Sequence, residues 1–279
     1  MKRPEVTLNN YQAVYDWYQQ YRQPRPITKL AYAALDLYYK PDLYFAEGAR
    51  DEFDQFRSDS TSQIFVFNHL TNKHDQFVAS AVAHLMIPED VGRTRVLAKD
   101  ELFRGAQGRF VNLMGAVPTF RKKDHAAKTI VGTLPESAEL TQDMIDQMLT
   151  QQAQTVDHAN DAMFAAVGNM VAAGNNLAVF GEGTHNKVDP TVLQKLRPGF
   201  ARIALHAYNL GANVAITPIG MSFGQSLDSL DPRKAAVVIA PSIRVESTDT
   251  IETLVEDTRG LLQTAIDQAN MAHTSVRQS

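Results

Sequence analysis

Hydrophobic positions along the chain change period from one segment to the next. From Tyr11 to Gln23, Tyr11, Val14, Tyr15 and Tyr18 recur at helical spacing, with Trp17 and Tyr21 adjoining, until Pro24 and Pro26 end the run. A second helix is predicted over Thr28–Tyr39, with Leu30, Ala33, Ala34 and Leu37 on one stripe and Pro41 closing it. Leu43-Tyr44-Phe45 reads as a short first strand. Beyond it, apolar β-branched runs alternate with helical patterns. Strands are predicted at Gln63–Phe67, Arg95–Ala98, Ala116–Phe120, Leu177–Phe180, Val214–Ile219 and Ala235–Ile239. Helices are predicted at Gln76–Met86, Gly105–Leu113, Asp157–Ala173, Pro198–Asn209 and Thr250–Ala272. The Gln-rich, acidic stretch from Thr129 to Ala153, with Leu140, Met144, Met148 and Leu149 near helical spacing, is expected to form an extra surface helix. Alternation of this kind predicts an α/β fold, with a mostly parallel central sheet flanked by helices and an N-terminal helical pair.

The 279 residues suffice for one large domain, and no linker or repeat divides them. We therefore expect a single domain over 1–279, with residues 1–41 as aromatic amphipathic helices. Because Tyr and Trp favour membrane–water interfaces, this pair is a candidate for docking on lipid; packing onto the main domain is the alternative. No run of about 18 apolar residues is present, so no spanning helix is expected. Met1-Lys2-Arg3-Pro4 leads into polar residues rather than the apolar core of an export signal. There is no cysteine, which rules out disulfides, thiol nucleophiles and thiolate metal sites and fits a reducing compartment.

Formal net charge is −4, but the charges are unevenly placed. Arg93, Arg95, Lys99, Arg104, Arg109, Arg121, Lys122 and Lys123 face only Asp100 and Glu101 within their segment, whereas Thr129 to Asn186 contains no Lys or Arg. That asymmetry suggests a localised anion site, or simply a solvated basic face.

Ligands of α/β sheets collect at the carboxyl ends of strands. Four predicted strand ends carry polar residues: Asn68-His69 with Asp75 beyond; Thr119-Phe120-Arg121-Lys122-Lys123; Gly181-Glu182-Gly183-Thr184-His185; and Thr217-Pro218-Ile219-Gly220. Taken singly these are a structural histidine, a solvated loop and ordinary turns. In this order they resemble the lysophospholipid acyltransferase superfamily, which contains bacterial 1-acylglycerol-3-phosphate acyltransferase. Asn68-His69…Asp75 is similar to the family's Asn-His-x4-Asp block. "GAVPTFR", Gly115 to Arg121, preceded by "LAKDELFRG", is similar to the second block. "FGEGTH", Phe180 to His185, followed by "LRPGFARIAL", is similar to the third, and "AITPIG", Ala215 to Gly220, to the fourth. The resemblance covers roughly Leu43 to Val245.

Three departures stand out. Five residues separate His69 from Asp75 where the family has four, so a strict count lands on His74. Gly181 replaces the usual Pro. His185 replaces the usual Arg, exchanging a permanent charge for a titratable one.

The resemblance implies a fatty acyl group passing from acyl-CoA or acyl-carrier protein to a lysophospholipid hydroxyl. The favoured acceptor is lysophosphatidate, giving phosphatidate; glycerol 3-phosphate or another lysolipid is the alternative. His69 is the expected general base, since an imidazole with an ordinary pKa of about 6.5 is suited to proton transfer near neutrality. Asp75 would orient it, as the Asp of a serine-protease triad does, with the substrate hydroxyl in place of the serine and no covalent acyl-enzyme. Arg121 and Lys122, or Lys123, would bind phosphate. Glu182, Gly183, Thr184 and His185 would bind substrate, Glu182 by positioning the glycerol hydroxyl or organising the Arg side, and Pro218 would wall the acyl channel. Asn68 is expected to fix the loop, and His74 to be an exposed spacer. No metal site is expected, although His69, His74 and Asp75 could in principle gather one. No cofactor beyond the acyl donor is expected, and no nucleic-acid partner. The expected location is cytoplasmic, peripheral on the inner face of the cell membrane. Rivals from other classes are an inactive lipid-binding protein that keeps the fold, favoured if Asp75 points to solvent, and a thioesterase.

Overall fold

The computed structural model describes residues 3–125 and 141–276. Among these residues, eight strands form one sheet: β1 (Asp42–Phe45), β2 (Ser62–Phe67), β3 (Thr94–Lys99), β4 (Ala116–Thr119), β5 (Asn176–Phe180), β6 (Val214–Ser222), β7 (Ala236–Ile239) and β8 (Ile243–Arg244). Their order is β1-β7-β6-β2-β5-β3-β4, with β8 paired to β6. From β6 through β4 every neighbouring pair is parallel. β7 and β8 run antiparallel to β6, and β1 follows β7. The expected α/β fold with a mostly parallel sheet is the one found.

The helices are α1 (Tyr11–Gln20), α2 (Arg25–Tyr39), α3 (Ala49–Ser58), α4 (Asp75–Met86), α5 (Gly105–Leu113), α6 (Gln142–Ala172), α7 (Gly199–Asn209) and α8 (Ile251–Val276). Strand parity sorts the core into two layers. Ile64, Val66, Leu177, Val179 and Ile216 point to one face, covered by α1, α6, α7 and α8. Phe65, Phe67, Ile219, Met221, Val237 and Ile239 point to the other, covered by α3, α4 and Tyr39 of α2. β2 is buried on both faces along its whole length, so it takes an unbroken apolar run after its first two residues.

Two expectations are corrected. The predicted Asp157–Ala173 helix and the C-terminal part of the Thr129–Ala153 stretch form one continuous helix, α6, rather than two. The first part of that stretch, including Leu140, falls in 126–140, outside the described residues. The α1 rings do not face outward: Val14, Tyr15 and Tyr18 are at most 1% exposed, and Trp17 stacks on Tyr21. Burial of each such ring contributes about 2 kcal/mol, which commits α1 to the core. α2 behaves differently. It buries Thr28, Tyr32 and Tyr39, while Leu30 and Leu37 of its apolar stripe remain 73% and 70% exposed, beside Ile27 and Tyr38.

Candidate active site

The carboxyl ends of β2, β5, β3 and β4 lie side by side along one sheet edge. They deliver, in that order, His69, the Gly181–His185 turn, Lys99 and Arg121. Backbones of adjacent strands are roughly 4.8 Å apart, so Arg121 follows a strand about 14 Å from that of His69, with Lys99 between them.

His69 and Asp75 form a dyad. The imidazole Nδ1 donates to Asp75 Oδ2 at 2.7 Å. Asp75 is the first residue of α4, fully buried, where the partial positive charge of the helix N-terminus favours a carboxylate. It also accepts from the Leu70 N–H (2.6 Å), the Thr71 N–H (2.9 and 3.0 Å to its two oxygens) and Thr71 Oγ1 (2.6 Å). Since the carboxylate can only accept, the ring proton lies on Nδ1 and Nε2 keeps its lone pair. The ring itself stacks on Phe180, centroids 4.7 Å apart, and its side chain is 16% exposed.

The additional residue between His69 and Asp75 is absorbed locally. The Thr71 hydroxyl accepts from the His74 N–H, closing the turn that returns the chain to His69. His74 is not the exposed spacer expected of it: its Nδ1 is 3.0 Å from the Tyr39 hydroxyl at the end of α2. The imidazole that a four-residue count selects therefore points to α2, and His69, His74 and Asp75 do not converge. Among the described residues no group of three His, Asp or Glu side chains is arranged to hold a metal.

The turn after β5 grips the backbone of His69 from both sides. Glu182 is buried, and its carboxylate accepts from the His69 N–H at 2.6 Å and the Gln194 N–H at 2.8 Å. Burial raises its pKa above the ordinary carboxyl value, while these two N–H groups and His69 pull it back. Glu182 is thus turned into the protein rather than toward a glycerol hydroxyl. The Asn186 N–H donates to the His69 carbonyl at 2.7 Å. The Asn186 side chain organises 186–194 by bonding the Val192 carbonyl and the Val188 and Asp189 N–H groups. Gly183 adopts φ +67° and is open to solvent, with the Arg197 side chain 3.2 Å from where a Cβ would stand. Thr184 is half-buried, and His185 sits beside the base, ring centroids 6.0 Å apart.

Asn68 fixes the loop, as expected: its amide donates to the Met221 carbonyl (2.9 Å) and accepts from the Met221 N–H (2.8 Å), extending β2 along β6. The fourth block is not at a strand end, because β6 continues to Ser222. Its Gly220 is required where α8 crosses, since a Cβ would lie 2.4 Å from the Ala265 backbone. Pro218 has the parity of Ile216, whereas Ile219 faces the narrow apolar cleft lined by Phe65, Phe67, Val82, Ala83 and Met86.

The cations are mostly engaged. Arg121 pairs with Asp124. Lys122 meets Asp157 of α6 at 2.8 Å on the surface, where such a pair contributes little. Arg95 is 1% exposed and donates to the Tyr21 carbonyl beneath α1, so the basic segment is not one anion-binding face. Three residues of the site went unrecognised in the sequence: Thr71, Asn186 and Asp124. Lys99 was counted in the basic segment, and its place at the end of β3, one residue past the predicted strand, sets it apart from the rest of that segment.

No curated protein matches the chain. A family model described as Acyltransferase matches residues 48–222, more than half the chain and the span that holds the dyad, the Gly181–His185 turn and Arg121. The chain therefore belongs to the Acyltransferase family and is an acyltransferase.

Proposed function

We propose that the protein transfers a fatty acyl group from acyl-CoA or acyl-carrier protein to the free hydroxyl of lysophosphatidate, giving phosphatidate. The observation that carries this reading is the assembled dyad, His69 Nδ1 to Asp75 Oδ2 at 2.7 Å, beside a cation-bearing strand edge. His69 Nε2 takes the hydroxyl proton as the oxygen attacks the thioester carbonyl. Asp75 stabilises the imidazolium. The tetrahedral intermediate expels the thiolate, which recovers the proton from His69, so no acyl group is passed to the protein. Glu182 and Asn186 hold the base by its main chain, and Lys99 and Arg121 lie on the side where an anionic head group would rest. The acyl chain would enter along the cleft of Phe65, Phe67, Ile219 and Met86, the methionine being the side chain best able to rearrange for it.

The test is purified protein with labelled acyl-CoA or acyl-carrier protein and a panel of lysolipids and glycerol 3-phosphate. Labelled phosphatidate supports the reading. Transfer to water alone makes the protein a thioesterase, and binding of lipid without transfer makes it a carrier.

His185 gives a second reading of the acceptor. Burial first, then Lys187 and the His69 ring, hold its pKa below the ordinary imidazole value. It is neutral near pH 7 and gains charge only on acidification. With a phosphodiester lysolipid, whose charge stays constant, KM is expected to fall as the pH is lowered below the ordinary imidazole pKa, and His185→Arg to flatten that dependence. A wild-type KM independent of pH contradicts this role and leaves the phosphomonoester reading alone.

No helix among the described residues is long and apolar enough to cross a membrane. In our reading the protein rests on the inner face of the cell membrane by α2, whose exposed Ile27, Leu30, Leu37 and Tyr38 lie beside exposed Arg25 and Lys29. It should float with anionic liposomes, and Leu30→Glu/Leu37→Glu should remain in the dense fraction. Equal flotation of both proteins excludes α2 as the contact.

A further inference from the structure

One edge of the guanidinium assigned to the acceptor's head group is already occupied. Arg121 Nε and Nη2 both donate to one oxygen of Asp124, three residues on, with side chains 22% and 14% exposed. Asp124 lies in the turn Lys122–His125, which is anchored. Its N–H and that of His125 both donate to the Arg121 carbonyl, at 2.9 and 3.3 Å. The His125 ring lies 3.4 Å from Asp100 and packs against Phe120. The carboxylate is therefore presented to Arg121 by a fixed backbone.

We propose that Asp124 is a charge filter on the acceptor site, selecting phosphomonoesters over phosphodiesters and neutral head groups. This rests on the reading of Arg121 as the head-group cation. An acceptor reaches the Nε/Nη2 edge of the guanidinium only by displacing Asp124. A neutral head group offers nothing in exchange. A phosphodiester offers one negative charge, the same as the carboxylate, and competes with a partner held at high effective concentration by three residues of chain. A phosphomonoester carries between about −1.5 and −2 at neutral pH and presents three acceptor oxygens to a bidentate fork, so the exchange favours it alone. The departing carboxylate, already partly exposed, regains water.

The filter can be read without turnover, by titrating the full chain with glycerol 3-phosphate and with its methyl phosphodiester, following binding by calorimetry or NMR. The wild type should prefer the monoester. Asp124→Asn, which keeps the shape and removes the charge, should tighten both ligands, the diester by about fivefold more, the scale of one half-buried ion pair. Asp124→Glu, which can still pair with Arg121, should keep the wild-type preference. Arg121→Gln/Asp124→Asn should lose the gain. Weaker binding of both ligands by Asp124→Asn would show that the carboxylate holds Arg121 in its binding pose, and overturns the filter. So does an unchanged preference, or binding of neither ligand by any variant. Acyl transfer in the presence of any of these outcomes leaves the proposed reaction standing, and binding as described without transfer leaves the filter standing.

Discussion

Replacing His69 by alanine should lower acyl-transfer turnover by about a thousandfold, within the range that a positioned general base supplies. The effect should fall on kcat, because the imidazole acts on the hydroxyl only as it attacks. Stability should change little: the ring is partly exposed and its one side-chain bond is to Asp75, which keeps three other donors, two of them backbone N–H groups. Initial rates of labelled product formation, beside a thermal melt, separate the two. A loss of less than about tenfold would mean that another group takes the proton.

Asp75→Asn is expected to damage both activity and fold. The carboxylate accepts from four groups at once, His69 Nδ1, the Leu70 and Thr71 N–H groups and Thr71 Oγ1. An amide has one acceptor oxygen, and its NH2 would face donors. With at least one buried N–H unsatisfied, unfolding free energy should fall by about 2–3 kcal/mol. The imidazole loses the acceptor that fixes its tautomer, and turnover should fall by about three to four orders of magnitude. Denaturant melts and assays well below the midpoint resolve these effects. Activity near wild type in a folded Asp75→Asn protein would remove Asp75 from the dyad.

How much of this was legible in the sequence depended on whether the deciding contact was local. The seven longer strands emerged from apolar runs to within three residues, most clearly β2 and β6, where burial on both faces tolerates little else. β8, two residues long, has no pattern to find. α3 was missed: in "ARDEFDQFRS" only Ala49, Phe53 and Phe56 are buried, too few for a period among charges. For α2 the period was legible, but which of its faces packs inward was not. The aliphatic stripe stays outside, while Tyr32 and Tyr39, on the other side, reach the Met114 carbonyl and His74. In the site, His69 and Asp75 could be picked out only through the family resemblance of the four blocks together, since a histidine after a strand is by itself an ordinary structural residue. The groups that hold them could not. Glu182 appeared to be substrate-facing because its role rests on which way a buried carboxylate turns, toward the His69 N–H. Counting basic residues likewise failed, because a count does not distinguish Arg95, enclosed under α1, from Arg121, partnered by Asp124.

The most direct measurement of the central claim is release of free CoA from acyl-CoA, followed with and without lysophosphatidate, by the wild type and by His69→Ala. A dyad that deprotonates the acceptor itself predicts release only when the acceptor is present, one thiol per phosphatidate formed, and almost none from the variant. Release by the wild type in water alone, or a burst of thiol leaving an acylated protein, would contradict direct attack by the lipid hydroxyl.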